Sequence, residues 1–104
     1  RRSKMATTIA GGSGSSFTNI LTATTTVVIA RSANLRRIVF NKKVANGVVT
    51  VYDNASAASG TKVGTITNPA VLLDSSEVLE YNVFCQNGIV VVTGSTDDIT
   101  VVWD

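Results

Sequence analysis

The sequence contains no histidine, which removes the commonest general base and the commonest neutral metal ligand together. A Ser-His-Asp triad is therefore excluded however many serines the chain carries. A single cysteine, Cys85, leaves no internal disulfide and no Cys/His set for zinc. It lies in the apolar run Val83-Phe84-Cys85 and reads as a small buried hydrophobe rather than a reactive thiol. There is one proline, Pro69, placed between candidate strands. No apolar run reaches the roughly 18 residues a membrane helix needs, so no membrane partner is expected. The N-terminal segment lacks the apolar core of a signal peptide, and the expectation is a soluble protein made in the cytoplasm. Helical periodicity is missing as well, for no window of about 11 residues shows apolar spacing of 3.6. The best helix candidate, Asn68 to Asp74, is too short to matter.

What is present is an apolar chain with few charges: 44% hydrophobic, 15% charged, mean hydropathy +0.27. Much of its surface must therefore be Thr, Ser, Asn and Ala, which tolerates neighbours on several sides. A length of 104 residues supports one domain with one modest core.

From Ile20 the polarity pattern has period two, as in half-buried strands. The strands read from it are Ile20 to Ala30, Leu35 to Asn41, Val48 to Asp53, Thr61 to Thr67, Glu77 to Cys85, Ile89 to Thr93 and Ile99 to Trp103. A short eighth piece is placed at Val71 to Leu73. The clearest unit is Asn46 to Thr67, where Val48-Val49-Thr50-Val51-Tyr52 and Thr61 to Thr67 flank the small-residue turn Ala55 to Gly60. Asn-Gly occurs at 46–47 and again at 87–88, and this dipeptide tolerates the positive φ angles of tight hairpins. Short strands at this spacing with repeated turns predict an all-β fold, an antiparallel β-sandwich of jelly-roll or immunoglobulin-like type.

Residues 1 to 19 read as an extended arm ahead of a sandwich spanning 20 to 104. Met5 followed by Ala6-Thr7-Thr8 looks like an ordinary protein start, with Arg1, Arg2 and Lys4 upstream of it. Those three supply a third of the nine positive charges; the rest of the chain, six positive against seven negative, stands at −1. The net +2 therefore belongs to the arm. Ordering the six residues Gly11 to Ser16 would cost roughly 6–12 kcal/mol, which needs roughly 240–480 Å² of apolar burial to offset. Glycine and serine cannot supply that, so the arm is expected to lie against a neighbouring subunit or another protein, with Ile9 and Phe17 as anchors.

The strongest local charge feature is Arg31, Arg36, Arg37, Lys42 and Lys43. Leu35, Ile38, Val39 and Phe40 interrupt it, which puts the cations on a sheet edge or at strand ends. Such a patch could dock an acidic protein surface, or be a solvated face whose charges guard an edge against aggregation. No nucleic acid is expected, because the domain is nearly neutral and offers no aromatic platform. Asp97-Asp98, Asp53 and Asp74 fall in turns and are explained by turn capping rather than by a calcium loop. Glu77 and Glu80 stand three apart, on opposite faces of a strand, and make a poor acid/base pair. Gly11-Gly12-Ser13-Gly14 lacks the Lys-Ser/Thr of a P-loop. Trp103 reads as core or interface packing. No metal, cofactor or catalytic residue is expected, and the chain reads as not an enzyme.

The stretch Val49-Thr50-Val51-Tyr52-Asp53-Asn54, followed by Ala57-Ala58-Ser59-Gly60-Thr61-Lys62 and the ending Asp98-Ile99-Thr100-Val101-Val102-Trp103, resembles small β-sandwich structural proteins of tailed bacteriophages. These are capsid decoration, cement or head-fibre components, and the resemblance covers residues 20 to 104. It implies a virion protein on the outer surface of the head, present in many copies and often trimeric, that binds the major capsid protein or another virion protein and bridges neighbouring subunits. The partner-interface candidates under this reading are Arg1, Arg2, Lys4, Ile9, Phe17, Arg36, Arg37, Lys42, Lys43 and Trp103. The alternative is a receptor- or carbohydrate-binding module of a fibre or tail, with Trp103, Tyr52 and Tyr81 as stacking groups.

Overall fold

The computed structural model describes residues 14–104. These residues form eight strands: β1 (Ser16–Ile20), β2 (Thr24–Ile29), β3 (Ala33–Lys42), β4 (Val48–Asp53), β5 (Thr61–Thr67), β6 (Glu77–Cys85), β7 (Ile89–Thr93) and β8 (Asp98–Trp103). All pairings are antiparallel. One sheet has the order β1-β8-β3-β6 and the other β2-β7-β4-β5. The fold is all-β, and the first and last strands lie side by side as do each successive pair inward, which is the connectivity of an eight-stranded jelly roll. That order decides between the two sandwich types expected, in favour of the jelly roll.

The core lies between the sheets, where alternate residues of each strand point inward. Leu35, Ile38 and Phe40 of β3 and Ile99 and Val101 of β8 meet Val49 and Val51 of β4 and Ile89 and Val91 of β7, all fully buried. Each such side chain contributes roughly 1.5–3 kcal/mol on burial. Cys85 is buried in the same cluster; burial, together with the charge of Asp53, pushes its thiol pKa up, which agrees with an inert residue.

Four of the strand boundaries match the sequence expectation residue for residue: those of β4, β5, β6 and β7. The hairpin of β4 and β5 is also as expected, and its tip runs through the exposed residues 55–60. Elsewhere the structure corrects the reading. Ser16–Asn19, assigned to the arm, pair in register with β8 from Trp103 to Thr100, so the sandwich begins at Ser16. The segment from Ile20 to Ala30 is not one strand, because residues 21–23 carry the chain from one sheet to the other. A polar Thr-rich run alternates on both sides of such a crossing, so the pattern conceals it. Val71 to Leu73 is not a strand, and Asn68 to Asp74 is not helical. Neither Asn-Gly pair closes a hairpin: Asn46-Gly47 and Asn87-Gly88 join strands of opposite sheets. Asn46 nevertheless uses its tolerance of positive φ, at 62°.

Candidate functional site

The odd-to-even strand connections put two sets of loops at opposite ends of the sandwich. One end carries residues 21–23, 43–47, 68–76 and 94–97; the other carries 30–32, 54–60, 86–88 and the first described residues, 14 and 15. No pocket is found among the described residues, nor any group of three or more metal-ligating side chains. The features with chemical content are surfaces.

The first end is tied together by Asp97, which is fully buried. Its Oδ2 accepts the backbone N–H of Val44 at 3.0 Å and the side-chain amide of Asn68 at 2.7 Å. Asn68, also buried, donates to the carbonyl of Val44 at 3.0 Å. Backbone bonds from Asn68 to Gly47 and from Asn46 to Pro69 close the junction. Asp97 Oδ1 has no partner among the described residues. It lies against Gly47, where a Cβ would stand only 2.5 Å from it. A buried, hydrogen-bonded carboxylate fixes geometry strongly, because every alternative leaves donors unpaired. What this junction supports is an apolar tip. Leu73 is 94% exposed and Val71 75%, and Leu21 on the neighbouring loop is exposed too.

The opposite end is clipped by Asp53. Burial pushes its carboxyl pKa up, but the backbone N–H groups of Asn87, Gln86 and Gly88 outweigh that and hold it below the ordinary aspartate value. The three bonds are 2.7, 3.0 and 3.3 Å for Asn87, Gln86 and Gly88. A Cβ at Gly88 would meet the carbonyl oxygens of Ile29 and Asn54 at 2.5 and 2.6 Å, so only glycine fits where the three loops converge. Asn54 in turn shapes the hairpin tip by accepting the N–H groups of Ser56 and Ala57.

The outward face of the β1-β8-β3-β6 sheet carries Phe17, Val78 and Phe84, the two phenylalanines 71% and 64% exposed. Beside them is a polar lattice. The amides of Asn19 and Asn41 both donate to Asp98 Oδ1, at 2.8 and 3.1 Å, and Asn41 donates also to Thr100 at 3.0 Å.

Of the two placements expected for the basic cluster, a sheet edge or strand ends, Lys42 and Lys43 fit the second, while Arg36 and Arg37 lie within β3. β3 is an interior strand, flanked by β8 and β6, and neighbouring acids neutralise most of its cations. Arg36 pairs with Asp104 at 3.1 Å, Arg37 with Glu80 at 2.8 Å and Lys43 with Glu77 at 2.8 Å; Lys42 is exposed opposite Asp98. Three of the five cations are thereby held in ion pairs within the chain. The acids come from strands more than 30 residues distant, so no local pattern could have announced them. Of the other candidates, Arg1, Arg2, Lys4 and Ile9 lie outside the described residues. Phe17 lies on the outward face of β1. Trp103 packs against the core, with its Nε1–H buried and unpartnered among the described residues, and Tyr81 lies inward with its hydroxyl against Gly64. Tyr52 sits in the other sheet. The three aromatic residues proposed for sugar stacking are thus not brought together. The residues missed by sequence reasoning are Asp97, expected as a turn cap, and Asn68, expected as the start of a short helix candidate; together they are the buried tie at the base of the apolar tip. The adjacent Val71-Leu72-Leu73 was legible as apolar, yet reads equally as a strand when its exposure is unknown.

Comparison with known protein families, with curated proteins and with solved structures returns no match.

Proposed function

We propose that the chain is a non-enzymatic virion structural protein of the capsid-decoration or cement type, which binds the assembled head shell and bridges neighbouring coat subunits. The observation that carries this reading is the exposed apolar tip: Val71 and Leu73 stand in solvent on a loop whose base is held by Asp97 and Asn68. Such side chains gain little where they are, and a pre-organised apolar anchor loses little entropy on docking. Phe17 and Phe84 on the outward sheet face supply a second apolar contact. The absence of histidine from the sequence and the use of the jelly roll by viral shell proteins support the reading. The mechanism is adhesion. A protein that binds only the assembled shell stabilises it by mass action, and many weak contacts held in register add through multivalency.

The test is co-sedimentation with undecorated heads, run beside binding to host surface glycans. Retention on heads is expected, and the double substitution V71S/L73S is expected to weaken it at least tenfold while leaving the circular dichroism and melting temperature of the free protein unchanged. Retention on glycans without retention on heads would overturn the proposal in favour of a receptor-binding module. Undiminished head binding by the double variant would remove the tip from it.

A further inference from the structure

The four edge strands of the sandwich differ in one respect. β2, β5 and β6 are each interrupted: the register of β2 shifts between Val27 and Ile29, that of β5 against Val51 and Tyr52, and that of β6 against Leu35 and Arg37, where Asn82 adopts φ 50°. β5 and β6 also carry Lys62, Glu77 and Glu80. Bulges and charges of this kind stop one sheet from pairing with another. β1 has neither. Ser16 to Ile20 pair with β8 at five consecutive positions without a shift, and the sequence SFTNI holds no charge and no proline. Nothing among the described residues pairs with its outer edge.

We infer that β1 is a homotypic edge, which pairs antiparallel with β1 of a second copy about a two-fold axis at Thr18. The strand is self-complementary in that register. Ser16 then faces Ile20 of the second copy and Phe17 faces Asn19, while Thr18 faces its own equivalent. Side chains turned toward the core in one copy stay on the core side of the joined sheet, and the outward Phe17 and Asn19 of both copies share the opposite face, as period-two alternation requires. No like charges are brought together, and a central Thr–Thr pair is a favourable cross-strand contact. Asn19 is held from behind by its bonds to Asp98 and the carbonyl of Ile99, each 2.8 Å, so its amide is positioned before pairing. The product is one continuous eight-stranded sheet. Two-fold pairing consumes both open edges, so association closes at two, unlike the trimer that the phage resemblance suggests. The inference rests on the edge alone and is independent of shell binding.

Analytical ultracentrifugation of the full chain across a range of concentrations is expected to show a monomer–dimer equilibrium. The exposed-face variant F17K is expected to weaken it at least tenfold, and V78K on the opposite edge strand to leave it unchanged. In T18C the opposed Cα atoms would lie about 4.5–5.5 Å apart, within disulfide range, so mild oxidation is expected to give a covalent dimer. A monomer at every concentration, a trimer, or a dimer abolished by V78K but not by F17K would overturn the inference; so would failure of T18C to crosslink under conditions where the dimer is populated.

Discussion

Both ends of the sandwich are tied by an aspartate, Asp97 joining three chain segments and Asp53 two, and the two ties differ in what surrounds them. Asp97 is fully buried and bonds one backbone N–H and one side-chain amide, with its second oxygen pressed toward Gly47. Asp53 is only partly buried and bonds three consecutive backbone N–H groups at 2.7–3.3 Å. Water can replace a lost partner at the Asp53 end and cannot at the Asp97 end. The same residue type should therefore be close to indispensable in one place and replaceable in the other, and the end with the costlier tie is the one that holds an apolar tip in solvent.

The largest effect that would break this comparison is expected from D97A. It leaves the Val44 N–H and one of the two Asn68 amide hydrogens unpaired, the other staying on the Val44 carbonyl, and should destabilise the fold by about 2–5 kcal/mol in urea denaturation. A loss below about 1 kcal/mol would show that the junction is wet. G47A should cost about 1–3 kcal/mol, because its methyl group would stand 2.5 Å from Asp97 Oδ1; the combination of G47A with D97A should then cost less than the sum of the two, since the carboxylate it strikes is gone. The smallest effect belongs to Asp53, where D53N should cost about 1 kcal/mol at neutral pH. Its pH dependence sharpens the contrast. The folded pKa lies below the unfolded one, so the Asp53 contribution is fully present above about pH 5, and it is lost as pH falls through the unfolded value near 4 toward the folded one. The difference in stability between the parent protein and D53N should narrow over that acid range, which melting curves at stepped pH would show.

The strands were legible where one face is buried and the other wet. β4, with Val49 and Val51 inside, carries its core side chains at period two; β7, buried at Ile89, Val90 and Val91 alike, is legible instead as a short apolar run, and turn residues bracket both. Legibility failed in two situations. At Ile20 to Ala30 the small polar residues around the crossing have no strong preference for either sheet, so two strands read as one. At Ser16 to Asn19 the glycine and serine upstream masked a strand whose only reward is its pairing with β8, some 80 residues later in the chain. The candidate site was less legible than the fold for a related reason. Whether Arg36, Arg37 and Lys43 form a patch or a set of ion pairs depends on Asp104, Glu80 and Glu77, which only strand order brings beside them.

The sequence alone determined the fold class, the inert chemistry of Cys85 and the β4–β5 hairpin, because period-two burial, residue chemistry and local turns act over a few neighbouring residues. Tertiary structure alone decided the jelly-roll order, the pairing of Arg36, Arg37 and Lys43 with acids, the burial of Asp97 and the place of β1 at the end of its sheet among the described residues. Each of these depends on which distant strands become neighbours, and that is settled by packing two whole sheets on one core.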